Sequence, residues 1–176
     1  FKVNSLDLDQ TEVEMPTGKA RFKIKRKINR KKKQRRKFNV RTVTALIGVR
    51  GTEFVMGTSG ASTSLLTLDG SVEMAAVAAP EIKVEVSIGE ASKLDVGKAP
   101  TPPITVPPAL QNSIVESDSS DTFGEVSFPP AQDLEEAVAE QKEKEEAQKE
   151  EEQEEEEQEE EEQEEEEQEE EEQEEE

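Results

Sequence analysis

Through the first hundred residues apolar and polar positions alternate, and no stretch keeps a helical period. Leu6 and Leu8 alternate with Asp7 and Asp9, then Val13 and Met15 with Glu12 and Glu14. Ala20-Arg21-Phe22-Lys23-Ile24-Lys25 reads as a strand with Phe22 and Ile24 on one face and cations on the other. The densest apolar stretch is Val40–Met56, VRTVTALIGVRGTEFVM, which lacks proline and is rich in β-branched residues. Gly48 and Gly51 interrupt it, and the pattern predicts two strands meeting at a kink that carries Arg50. Ser64–Leu68 and Ser71–Ala75 flank Asp69-Gly70, the dipeptide of a tight hairpin turn. Ile82, Val84, Val86 and Ile88 alternate against Glu81, Lys83, Glu85 and Ser87, and Leu94 with Val96 predicts one more short strand. Short strands with turns every few residues predict an all-β domain over residues 1–98, a small β-sandwich or roll of antiparallel strands.

Composition then changes twice. Residues 99–132 hold seven of the nine prolines, among them Pro102-Pro103 and Pro107-Pro108, and read as an extended, semi-rigid linker. Residues 133–176 form an acidic low-complexity tail. Asp133 and Glu136 mark a helix start with a capping box, and from Gln148 the sequence is a Glu/Gln repeat of five. A period of five with no apolar residue after Ala147 leaves a coiled coil no seam to bury. The tail is therefore predicted helical at its start and disordered beyond, because like charges oppose helix.

The charge follows the same division. The first 132 residues carry 19 Lys and Arg against 15 acids, whereas the last 44 carry 3 against 29. Ten cations crowd into Lys25–Lys37: Lys25, Arg26, Lys27, Arg30, Lys31, Lys32, Lys33, Arg35, Arg36 and Lys37. Lying between two strands, the run is expected at the tip of a long hairpin, as a contact for polyanions such as an anionic envelope polymer. No aromatic residue interleaves it for base stacking, so specific nucleic-acid recognition is not expected. The linker is long enough for the tail to fold back on this basic hairpin, giving an intramolecular contact or, alternatively, a polyelectrolyte protein whose tail binds cations or basic partners.

Candidate chemistry is sparse. Cysteine and histidine are absent from the sequence, which removes thiolate and imidazole metal ligands and the usual general base. Glu53, Asp69 and Glu90 are the carboxylates that strand ends and turns would display, and nothing in their spacing sets up an acid–base pair. We therefore expect no enzyme, no cofactor and no metal site. No apolar run reaches the length of a membrane span. The chain opens on Phe1 without a visible signal peptide, as a fragment lacking its native start would.

Several motifs, in order, resemble the FecR-like domain over residues 18–97. Gly18-Lys19-Ala20-Arg21-Phe22 is similar to its first strand, and Gly48, Arg50, Gly51, Thr52 and Phe54 to its central Gly-Thr-x-Phe element. Leu68-Asp69-Gly70-Ser71-Val72-Glu73 resembles the hairpin that follows, and Ile88-Gly89-Glu90 the later turn. Val43 stands where members often have proline, and the basic run is longer than the family pattern. The resemblance implies a bacterial, extracytoplasmic (periplasmic) module that binds a protein partner and serves envelope signalling.

Overall fold

The computed structural model describes residues 2–6, 10–25, 37–49, 51–144 and 146–149. Eleven strands are found among them: β1 (Lys2–Leu6), β2 (Gln10–Glu14), β3 (Gly18–Lys23), β4 (Lys37–Arg41), β5 (Ala45–Val49), β6 (Glu53–Thr58), β7 (Ser62–Asp69), β8 (Ser71–Ala76), β9 (Lys83–Ser87), β10 (Glu90–Asp95) and β11 (Ile104–Thr105). They form a six-stranded sheet in the order β1-β2-β4-β5-β8-β9 and a five-stranded sheet in the order β11-β10-β7-β6-β3. All pairings are antiparallel except β2 with β4. The all-β sandwich expected from the alternation is the fold observed.

The chain changes sheet five times, between β2 and β3, β3 and β4, β5 and β6, β7 and β8, and β9 and β10. This corrects the expected hairpins. β7 is hydrogen-bonded by β6 and β10, and β8 by β5 and β9, so neither has a free edge for the other. Asp69-Gly70 is thus a corner between sheets. The same holds for Lys25–Lys37: β4 is already paired on both sides, and the basic run connects opposite sheets instead of capping a hairpin. Val40–Met56 likewise holds three strand segments, not two, because Thr42–Thr44 turn the chain before β5. The Thr42 hydroxyl takes the backbone N–H groups of Thr44 at 3.2 Å and Ala45 at 2.8 Å, while Val43 stands exposed at the tip.

Alternate residues of the two sheets fill the main core: Val40, Ile47 and Val49 from one, Phe54, Met56, Leu65 and Leu94 from the other. β5 alternates buried and half-buried residues, as a sheet with one solvated face should. β6 and β7 do not alternate, because five successive residues of each are buried. Their second face carries Val55 and Leu66, which with Ala91 of β10 are covered by Val106, Ile114, Phe123 and Val126.

That cover comes from the proline-rich segment expected to be an extended spacer. It contains β11, helix α1 (Pro108–Glu116) and a 3-10 helix (Ser120–Glu125). Prolines still impose extended backbone on residues 100–107, but that backbone runs along the sheet, and Pro107-Pro108 then opens α1. The chain divides into two compact units, residues 1–138 and 139–176. In the first, residues 134–138 are helical, and Leu134 and Ala137 pack with Ala79, Ile82 and Ala99. In the second, residues 139–144 and 146–149 are helical. The Glu/Gln repeat from residue 150 and the fold-back contact expected of it lie outside the described residues.

Candidate functional site

Register fixes where the motif residues meet. Lys23 pairs Glu53, Glu53 pairs Asp69, and Leu66 pairs Ala91, so the end of β3, the start of β6, the end of β7 and the start of β10 share one end of the sandwich. In the opposite sheet Phe38 pairs Val49, Val49 pairs Val72, and Ser71 pairs Ser87. Four of the five sheet changes therefore lie on one rim, and the change from β2 to β3 lies on the other. Gly51, Thr52, Gly70 and Gly89 stand on the first rim, with Lys25 and Lys37 at the roots of the basic run. Residue 50 lies outside the described residues, as do Arg26, Lys27, Arg30, Lys31, Lys32, Lys33, Arg35 and Arg36.

Gly51 and Gly70 have φ of 72° and 78°, which a side chain would strain. Gly70 also lies so close to Thr52 that an added Cβ would stand 2.7 Å from Thr52 Cγ2. Gly48 is different from what the kink reading expected. It lies inside β5 between Asn39 and Glu73, and a Cβ there would meet nothing nearer than 3.9 Å. Phe54 points down from the rim into the core, stacked on Phe22 with centroids 5.1 Å apart; Phe22 also meets Phe38 at 6.0 Å.

A depression of about 490 Å³ opens on the rim, lined by Lys23, Ile24, Lys25, Gly51, Thr52, Glu53, Asp69 and Gly70. Glu53 accepts from Arg21 Nε at 2.8 Å and pairs Lys23 Nζ at 2.7 Å. Those two cations hold its carboxyl below the ordinary carboxylate value, the Lys23 hydrogen bond contributing most. Glu90 accepts from the Ser87 backbone N–H at 2.8 Å and so braces the β9–β10 corner, and Asp69 is exposed. Each of the three candidate carboxylates thus has a structural place or faces solvent. Among the described residues no three Asp or Glu are grouped to hold a metal ion, and no helix is long and apolar enough to cross a membrane.

Two arrangements escaped the sequence reading. On the opposite rim Thr63 Oγ1 lies 2.9 Å from Thr42 Oγ1, 2.8 Å from Thr44 Oγ1 and 3.3 Å from Thr58 Oγ1, a buried hydroxyl network joining the two sheets. Lys19, on β3, donates to the Ile114 and Ser117 carbonyls and to Thr122 Oγ1 at 3.3 Å. Its ammonium stands at the carbonyl end of α1, where the helix dipole favours a cation. Burial lowers its pKa, partly offset by Asp118. Lys19 thereby fastens the covering segment to the sheet. Four threonines at short intervals and a lone lysine give no periodic signal, so only the fold could assemble them. Ile88, expected on a buried face, is instead 62% exposed on the β9–β10 corner.

The profile of the FecR protein family matches residues 2–73, from β1 into β8. No curated protein matches the sequence. Two crystal structures of a candidate anti-sigma factor from Parabacteroides distasonis ATCC 8503 are similar, each with 19% identity and a TM-score of 0.49 over 64% of this chain. The chain spans about half the length of those proteins, 50% and 49%. Over residues 2–73, which run from β1 into β8 and include the turning glycines Gly51 and Gly70, the chain is thus similar to the FecR protein family.

Proposed function

We propose that this chain is the extracytoplasmic β-module of a bacterial envelope-signalling protein, acting by binding another protein and not by catalysis. The observation that carries this reading is the FecR match over residues 2–73, in which Gly51 and Gly70 turn the chain at one rim and, among the described residues, no metal-holding cluster is grouped. Both sheets are tied together at both ends, which suits a rigid platform for a partner. The test is genetic. Alkaline phosphatase fused behind the native gene should be active, as the enzyme is outside the cytoplasm, and deleting the codons for residues 1–138 should change transcription of a sigma-factor-dependent gene set. A silent fusion, or unaltered transcripts, would overturn the reading.

A further inference from the structure

The two strand orders set β3 against β4, β6 against β5, β7 against β8 and β10 against β9 across the sandwich. Sheet one continues past β4 with β2 and β1, but sheet two stops at β3. Among the described residues no strand pairs with the outer edge of β3. Ile24 N–H donates to Thr52 O at 2.9 Å, so in this antiparallel register residues 20, 22 and 24 turn their backbone groups to β6. Residues 19, 21 and 23 turn theirs outward. Their side chains alternate as well. Ala20, Phe22 and Ile24 are half-buried along the core, while Arg21 and Lys23 stand on the other face with side chains 52% and 69% exposed.

We propose that the edge of β3 is a docking strand for an extended peptide of a partner protein in which acidic and apolar residues alternate. Added to β3, such a strand hydrogen-bonds to the backbone of Arg21 and Lys23 and lies over the overhang of β2. Its apolar residues extend the row of Phe22 and Ile24, and its carboxylates meet Arg21 and Lys23 on the outer face. Both cations pair with Glu53 of β6 and still stand at least half in water, where they can meet further carboxylates. The same cations oppose pairing with a second copy of β3, which would set like charges side by side. Charge thus selects an acidic strand and rejects self-association.

This inference rests on the protein-binding reading and adds the partner's chemistry. The probe is a fluorescent synthetic peptide of alternating Glu and Val, titrated into the full chain and followed by anisotropy. It should bind at least about tenfold more tightly than a peptide of the same composition with its residues in blocks, the scale of one to two hydrogen bonds lost. N-methylating the amides on one edge of the peptide should abolish binding, and methylating the other edge should leave it. Arg21→Pro removes an outward N–H together with the guanidinium paired to Glu53, and should weaken binding at least as much as the first methylation; because the methylated peptides leave the protein intact, the result stands even if that variant misfolds. Equal binding of alternating and blocked peptides would show attraction by charge alone and overturn the proposal. Equal effects of methylation on both edges would also overturn it. Either failure leaves the transcription test untouched, so the two readings fail separately.

Discussion

Gly70→Ala probes the corner on which the rim depends. The residue sits at φ +78°, where a side chain costs about 1–2 kcal/mol. Its new Cβ would also press against Thr52 Cγ2 at 2.7 Å, Thr52 Cβ at 3.4 Å and the Gly51 carbonyl at 3.5 Å. Thr52 is only 3% exposed and cannot swing away, so overpacking adds about 1–3 kcal/mol. A total of about 3 kcal/mol is expected. Two controls separate the terms. Gly97, at φ +73° with nothing within 4 Å of a Cβ, should report the backbone term alone, about 1–2 kcal/mol for Gly97→Ala. Thr52→Ser removes the clashing methyl, so Gly70→Ala should cost about 1–2 kcal/mol less in that background. With neither tryptophan nor tyrosine in the sequence, urea unfolding is followed by circular dichroism. The reasoning fails if Gly70→Ala costs no more than Gly97→Ala, or if Thr52→Ser leaves its cost unchanged.

Four further outcomes follow from the same geometry. Gly48→Ala should fall within about 0.5 kcal/mol of the parent in the same urea assay, because its backbone is ordinary strand and its Cβ has room. Thr63→Val takes the partner from the buried Thr44 hydroxyl and one of several from Thr42 and Thr58, and should cost about 1–3 kcal/mol, whereas Thr52→Val removes a buried hydroxyl without a partner and should be neutral or stabilising. Ending the chain after residue 98 uncovers Val55, Leu66 and Ala91, so that variant should bind a hydrophobic dye strongly and melt well below a chain ending after residue 138. Glu53 has a folded-state pKa below its unfolded value; its contribution is present above the ordinary carboxylate value and is lost as pH falls through the folded one. Glu53→Gln should therefore flatten the acid limb of the stability profile, measured by thermal melts across pH.

The sequence by itself determined the strands that alternate regularly, though neither the Thr42–Thr44 turn before β5 nor the exposure of Ile88. Phe22, Val86 and Leu94 have polar neighbours in a two-residue rhythm, and that rhythm is local, since the pleat sends successive side chains to opposite faces. It also carried the FecR resemblance, because the glycines of that pattern must take positive φ wherever the chain turns. Which strands the turns join was decided only by the tertiary structure. A glycine such as Gly70 serves a hairpin or a corner equally well, and the choice went to the corner because the edges of β7 and β8 were already taken by β6, β10, β5 and β9. The cover of the second sheet was legible only in part. Phe54-Val55-Met56 and Leu65-Leu66 are apolar on both faces and require something on each, but their sequence does not name the partner. Residues 104–128 supply it, since Ile114 and Phe123 bury their surface only against a face that exists once β6, β7 and β10 have assembled. The rim, the threonine network and the Lys19 clamp share that origin: each joins residues distant in sequence, and only the completed sandwich brings them together.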